Sequence, residues 1–240
     1  MKKILIFVTA IVIIVAGILI FRDNYVYLHQ GFEKRKENTI HVHLDSAHVN
    51  ELNRCTDVKH LCTYQPSNEK FSQLITFEKL EKLEMHNPKY EISHDGMNFI
   101  NKQPKLNRLS FLEAETDLKG INNNSIQEIL ISLCSVKNFK SIENCSSLIS
   151  LTISKTKIDG CISFDDADNK EKENRYSLID SSVFSSFDTI EELEFKEILL
   201  EDISGLLDMD SLKTFIIKEC YISDENLKEL EDKGIKVVVL

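Results

Sequence analysis

The stretch Ile40 to His48, IHVHLDSAH, places three histidines and an aspartate within nine positions. One residue separates His41 from His43, and Asp45 and His48 lie just beyond. Imidazoles, carboxylates and thiolates are the groups that hold zinc, and a zinc ion held by three of them can activate water for hydrolysis. The same spacing has a plainer reading. Along a strand, side chains alternate, so Val42 and Leu44 would turn one way and the histidines the other. The elements around the stretch decide between the two.

Other chemistry finds little support. There is no G-x-S-x-G, no P-loop and no glycine-rich phosphate loop, so no catalytic residue and no cofactor is assigned. C-x-x-C is absent, and six cysteines in 240 residues are too sparse for a disulfide framework, although a Cys55–Cys62 bridge is geometrically possible. The net charge of −10 argues against nucleic acid, whose phosphates need a basic face. Seven glycines and three prolines argue against a turn-rich sandwich.

Repeats organise most of the chain. The pattern apolar-x-x-apolar-x-apolar recurs in VKHLCT from Val58, LEKLEM from Leu80, LNRLSF from Leu106, IQEILI from Ile126, LISLTI from Leu148, IEELEF from Ile190 and LKTFII from Leu212. Successive starts differ by 22, 26, 20, 22, 42 and 22 residues. Ile235 opens a further apolar run near the C-terminus, and TIHVHL from Thr39 fits upstream. Second apolar clusters lie between these segments, at 71–77, 136–145, 199–209 and 222–230, the last two with the three-and-four spacing of a short helix. The interval of 26 is read as containing a small insertion at 91–103. That of 42 is read as containing a solvated insertion loop, FDDADNKEKENRY, near 164–176.

One strand and one helical or irregular arc every 22 or so residues resembles the leucine-rich repeat family, in its short bacterial form. The resemblance covers residues 39–240 and implies an α/β repeat solenoid of about eight to nine strands, a horseshoe with a parallel sheet on its concave face. The asparagine usual after the strand is missing, with Cys134, Thr156, Ile198 and Cys220 in its place. On this reading the apolar positions form the core and the residues between them face the concave side. Aligning Val42 with Leu61 and Leu83 sets His41 beside His60 and Lys82, and His43 beside Cys62, Glu84 and Ser110. His41, His43, His60 and Cys62 then form one patch, with Glu84 and His86 next to it. Arg108, Glu128, Glu192, Glu194, Lys196, Thr214 and Lys218 continue the face. The resemblance implies a binding module with a protein partner and no catalytic activity. The alternative is a metal-dependent enzyme or metal-binding protein built on the His/Cys patch, but no residue is assigned as a metal ligand at this stage.

The N-terminus adds a separate element. Lys2 and Lys3 precede Ile4 to Phe21, a run with no charged residue that as a helix spans about 27 Å, close to the hydrocarbon thickness. No small-x-small cleavage site follows. We read residues 1–22 as an uncleaved signal anchor whose transmembrane helix holds the membrane through residues 4–21. Residues 23–38 are then a juxtamembrane linker and N-terminal cap, and 39–240 the repeat domain. By the positive-inside rule, the lysines stay inside and the repeat domain of this single-pass cell-membrane protein lies outside.

Overall fold

The computed structural model of the chain describes residues 13–20, 25–28, 31–34, 38–44, 49–88, 91–158 and 176–240. Each apolar-x-x-apolar-x-apolar segment folds alike, its last apolar pair alternating with outward residues in a short strand. In chain order, a hairpin of β1 (Tyr25–Leu28) and β2 (Gly31–Lys34) precedes β3 (Thr39–His43), β4 (His60–Tyr64) and β5 (Lys82–His86). From there a short second strand follows the long one. β6 (Arg108–Leu112) leads to β7 (Glu115–Asp117), β8 (Glu128–Ser132) to β9 (Ser135–Lys137), and β10 (Ser150–Ser154) to β11 (Lys157–Ile158). Then come β12 (Ser177–Leu178), β13 (Glu192–Lys196), β14 (Ile198–Leu199), β15 (Thr214–Lys218) and β16 (Lys236–Val239).

Among the described residues the long strands form one nine-stranded parallel sheet in the order β3-β4-β5-β6-β8-β10-β13-β15-β16. β10 pairs directly with β13, Ser150 opposite Glu192, so the interval of 42 contributes no strand between them. The reading of 164–176 as a loop lies outside the described residues except for Tyr176.

Packing follows from the alternation. Leu61, Leu83, Leu109, Ile129, Leu151, Leu193 and Phe215 stack as one buried column, and Met85, Phe111, Ile131, Ile153, Phe195 and Ile217 as a second. Each such side chain gains roughly 1.5–3 kcal/mol on leaving water, and no turn of the solenoid can bury it without its neighbours. The arcs close the other side. Among them are the helices Asn68–Ser72, His94–Asn101 and Asp224–Asp232 and the 3₁₀ turns Phe139–Asn144 and Ser181–Phe184. Residues 91–103, read as an insertion, are a packed part of the core: the helix His94–Asn101 buries Met97, Phe99 and Ile100. Phe99 lies 5.4 Å from Phe71 and 6.1 Å from Phe77, ring centre to ring centre.

Every long strand from β4 to β15 ends in a left-handed residue. Gln65, Asn87, Glu113, Leu133, Lys155, Glu197 and Glu219 have φ between 41° and 57°. Six of them, all but Glu219, donate their N–H to the carbonyl ending the next strand, as Gln65 does to His86 at 2.9 Å. One residue later, small side chains do the work of the missing asparagine. The Cys134 thiol donates to the carbonyls of Ser132 and Phe111 at 3.1 and 3.3 Å, and Cys220 to those of Phe195 and Lys218 at 3.2 and 3.4 Å. The Thr156 hydroxyl donates to Ser154 at 2.8 Å and accepts from the Cys134 N–H at 3.4 Å.

Residues 13–20 are helical, and Ile13, Ile14, Val15, Ile18, Leu19 and Ile20 are exposed along them. Among the described residues, no helix is long and apolar enough to cross a membrane. The rest of the expected span, residues 4–12 and 21, lies outside them.

Candidate functional site

The outward residues of the long strands line up in three rows across the sheet. The first runs Thr39, His60, Lys82, Arg108, Glu128, Ser150, Glu192, Thr214, Lys236. The second runs His41, Cys62, Glu84, Ser110, Leu130, Thr152, Glu194, Ile216, Val238. The third runs His43, Tyr64, His86, Leu112, Ser132, Ser154, Lys196, Lys218.

These rows correct the alignment of the first strand. Ile40, not Val42, stands opposite Leu61, so His41 pairs with Cys62 and His43 with Tyr64. The slip is two residues, which keeps both histidines facing outward and changes only their neighbours. Tyr64 thereby enters the patch, between His43 and His86, its ring centre 5.3 Å from one and 4.9 Å from the other. The repeat pattern stops at Thr63, so it gave Tyr64 no role, but its place two residues after Cys62 puts it on the same face. His41 and His60 stay adjacent, 5.9 Å apart and edge to face.

Glu84 is the hub. Lys82 donates to its Oε1 at 2.7 Å, and the Nε2 atoms of His60 and His86 lie 3.2 and 3.7 Å from its Oε2. Neither imidazole approach is aligned as a hydrogen bond, so among the described residues both of these buried ring nitrogens lack a hydrogen-bond partner. Burial opposes ionisation of Glu84, but the hydrogen bond and charge of Lys82, with the nearby His60 ring, outweigh it and hold the carboxyl at about 2. Cys62 differs from the solvent-facing residue expected from the repeat pattern. It is 1% exposed, covered on the concave side by its neighbours, while Leu61 and Thr63 point into the core. Burial pushes its thiol up, and the nearby Glu84 charge adds to this against an opposing hydrogen bond from Tyr64. Cys62 is unbridged, so the Cys55–Cys62 disulfide does not form.

The rest of the face is looser. Arg108 grips Glu128 through two nitrogens, at 2.8 and 2.9 Å, and both side chains are exposed. Ser150 and Thr152 donate to Glu192 and Glu194 at 3.3 and 3.4 Å. Lys196 lies 3.6 Å from Glu197, beyond its own strand. Lys218 closes the third row, one strand from Lys196.

The chain is similar to the crystal structure of an internalin C2 from Listeria monocytogenes str. 4b F2365, with a TM-score of 0.50 and 13% sequence identity over 87% of this chain and 80% of that one. The fold is a leucine-rich repeat solenoid. An internalin (inlF) from the same strain is 14% identical over 79% of this chain and 69% of its own, with a TM-score of 0.34. No family model and no curated protein matches the chain. At such identity the likeness extends to the fold alone, and a leucine-rich repeat solenoid hosts many functions. The chemistry of the concave face must be read from this chain's own residues.

Proposed function

We propose that this chain is a membrane-anchored leucine-rich repeat module that binds a protein partner through its concave surface, with no catalytic role. The observation that carries the reading is the set of three continuous rows of outward side chains. They present His41, His43, His60, Glu84 and His86 at one end and Glu192, Glu194, Lys196 and Lys218 towards the other. A curved sheet offers a partner aligned charges and half-buried aromatic and apolar groups, such as Tyr64, Leu112 and Leu130, on a rigid frame. Arg108 and Glu128 sit between the two ends as an exposed pair that a partner can re-bond.

The anchor reading rests on the uncharged run Ile4 to Phe21 behind Lys2 and Lys3. The exposed isoleucines, valine and leucine of residues 13–20 support it, since an apolar helix exposed on all sides favours an apolar surround. The repeat domain then lies outside the cell membrane.

Charge reversal on the full chain tests the binding reading. Glu192→Lys with Glu194→Lys, and separately Lys196→Glu with Lys218→Glu, should remove co-purifying envelope proteins that the unaltered chain retains. An identical partner set for every variant would sink the concave-surface reading. For the anchor, the full chain should resist alkaline extraction from membranes while Val15→Asp with Ile18→Asp is released. Protease added to intact cells should digest the repeat domain; full protection there would reverse the orientation.

A further inference from the structure

We propose that the concave face of β4 and β5 holds a zinc ion, with Cys62, Glu84 and His86 as its protein ligands and the fourth position left to water. This does not rest on the partner-binding reading, and either can fail without the other. One ligand atom from each residue lies within 4.8 Å of those of the other two, in a group spanning two adjacent strands. Ligands around a tetrahedral zinc stand roughly 3.3–3.8 Å apart, so small side-chain rotations close the triangle. A thiolate, an imidazole and a carboxylate form a donor set that suits zinc, whereas oxygen-preferring magnesium and calcium would leave the sulfur unused.

Three further observations favour a ligand here over a structural pairing. Among the described residues the buried Nε2 of His86 has no hydrogen-bond partner, although it sits 3.7 Å from a carboxylate oxygen. Buried polar atoms are seldom left unpaired, and a metal bond would satisfy this one. Cys62 is buried on the concave side, whereas Cys134 and Cys145 are part of the core. The surroundings also orient the ligands. The Tyr64 ring packs against the His86 ring at 4.9 Å, tilted by 30°, and Lys82 and His60 flank Glu84. Such outer contacts fix ligand direction, and their loss commonly weakens metal binding about 10–100-fold. On binding, the Cys62 S–H bond is replaced by S–Zn and its proton passes to solvent.

The test uses the full chain, reduced and stripped with a chelator, then titrated with zinc against a chromophoric competitor. One zinc per chain is expected. Glu84→Gln and His86→Gln, at partly exposed positions, should each weaken binding about tenfold or more while the circular dichroism spectrum is unchanged. Cobalt in place of zinc should show a thiolate-to-metal absorption band that Cys62→Ser abolishes and Cys134→Ser retains. Should Cys62→Ser fail to fold, the two partly exposed variants still decide the matter. No saturable zinc uptake would overturn the proposal, and so would uptake unchanged in both Glu84→Gln and His86→Gln, or a cobalt band that survives in folded Cys62→Ser.

Discussion

The two ends of the concave face share one backbone geometry and differ in how their side chains are held. Around β3 to β5, His60, Lys82 and His86 converge on the Glu84 carboxylate, with Tyr64 wedged between His43 and His86. Around β10, β13 and β15, the same rows carry Ser150, Thr152, Glu192 and Glu194, joined by long hydroxyl contacts of 3.3 and 3.4 Å. The register across both ends is equally regular. The solenoid supplies the rows, and residue type decides whether a row becomes a bonded network or an open surface. At the C-terminal end the concave side chains add little, and stability rests on the buried columns and the arcs packed behind the sheet.

The largest expected effect tests that last point. A Cβ on Gly205 would meet the Ser181 carbonyl oxygen at 1.9 Å, and Gly205 also donates its N–H to the Ser181 hydroxyl at 3.1 Å. Gly205→Ala should cost about 3 kcal/mol or more in denaturant unfolding, because backbone must move. Glu194→Gln on the same half should stay within about 0.5 kcal/mol. Similar costs for the two would mean that the arcs do not carry this end.

Next comes the hub. The Glu84 carboxyl is held at about 2, below its ordinary 4.5, so its ionised form stabilises the fold above roughly pH 4.5. That contribution fades as pH falls towards 2. Glu84→Gln should therefore cost about 2 kcal/mol at pH 7, and the gap to the unaltered chain should shrink steadily below pH 4.5. A gap independent of pH would show that the network is held by shape rather than charge.

Smaller effects probe what the two ends share. Thr156→Val should cost about 1 kcal/mol, since it removes the hydroxyl that joins Ser154 to the Cys134 N–H. Leu133→Gly should stabilise the chain by up to about 1 kcal/mol, as Leu133 is 51% exposed and held at φ 57°. A loss there would mean that the leucine side chain contributes more than the left-handed backbone costs.

Much of this architecture is legible in the sequence. The spacing of Leu61, Leu83, Leu109, Ile129, Leu151, Leu193 and Phe215 marks the strands and their inward faces, because alternation along a strand is a local property. Three features escaped it. Met97, Phe99 and Ile100 read as insertion because one short helix within an arc leaves no repeating signal. The left-handed residues Glu113, Leu133 and Lys155 share no side-chain type. Cys62 read as exposed because its cover, Tyr64 and Glu84, comes partly from the next strand.

The amino-acid order alone determined the period and the face each side chain takes. Only the tertiary structure decided which outward residues are neighbours. A parallel strand can slide by two residues without turning a side chain over, so the local pattern of Thr39 to Leu44 is compatible with either register. Stacking of Ile40 on Leu61 selects one, and that choice puts His41 beside Cys62 and His43 beside Tyr64.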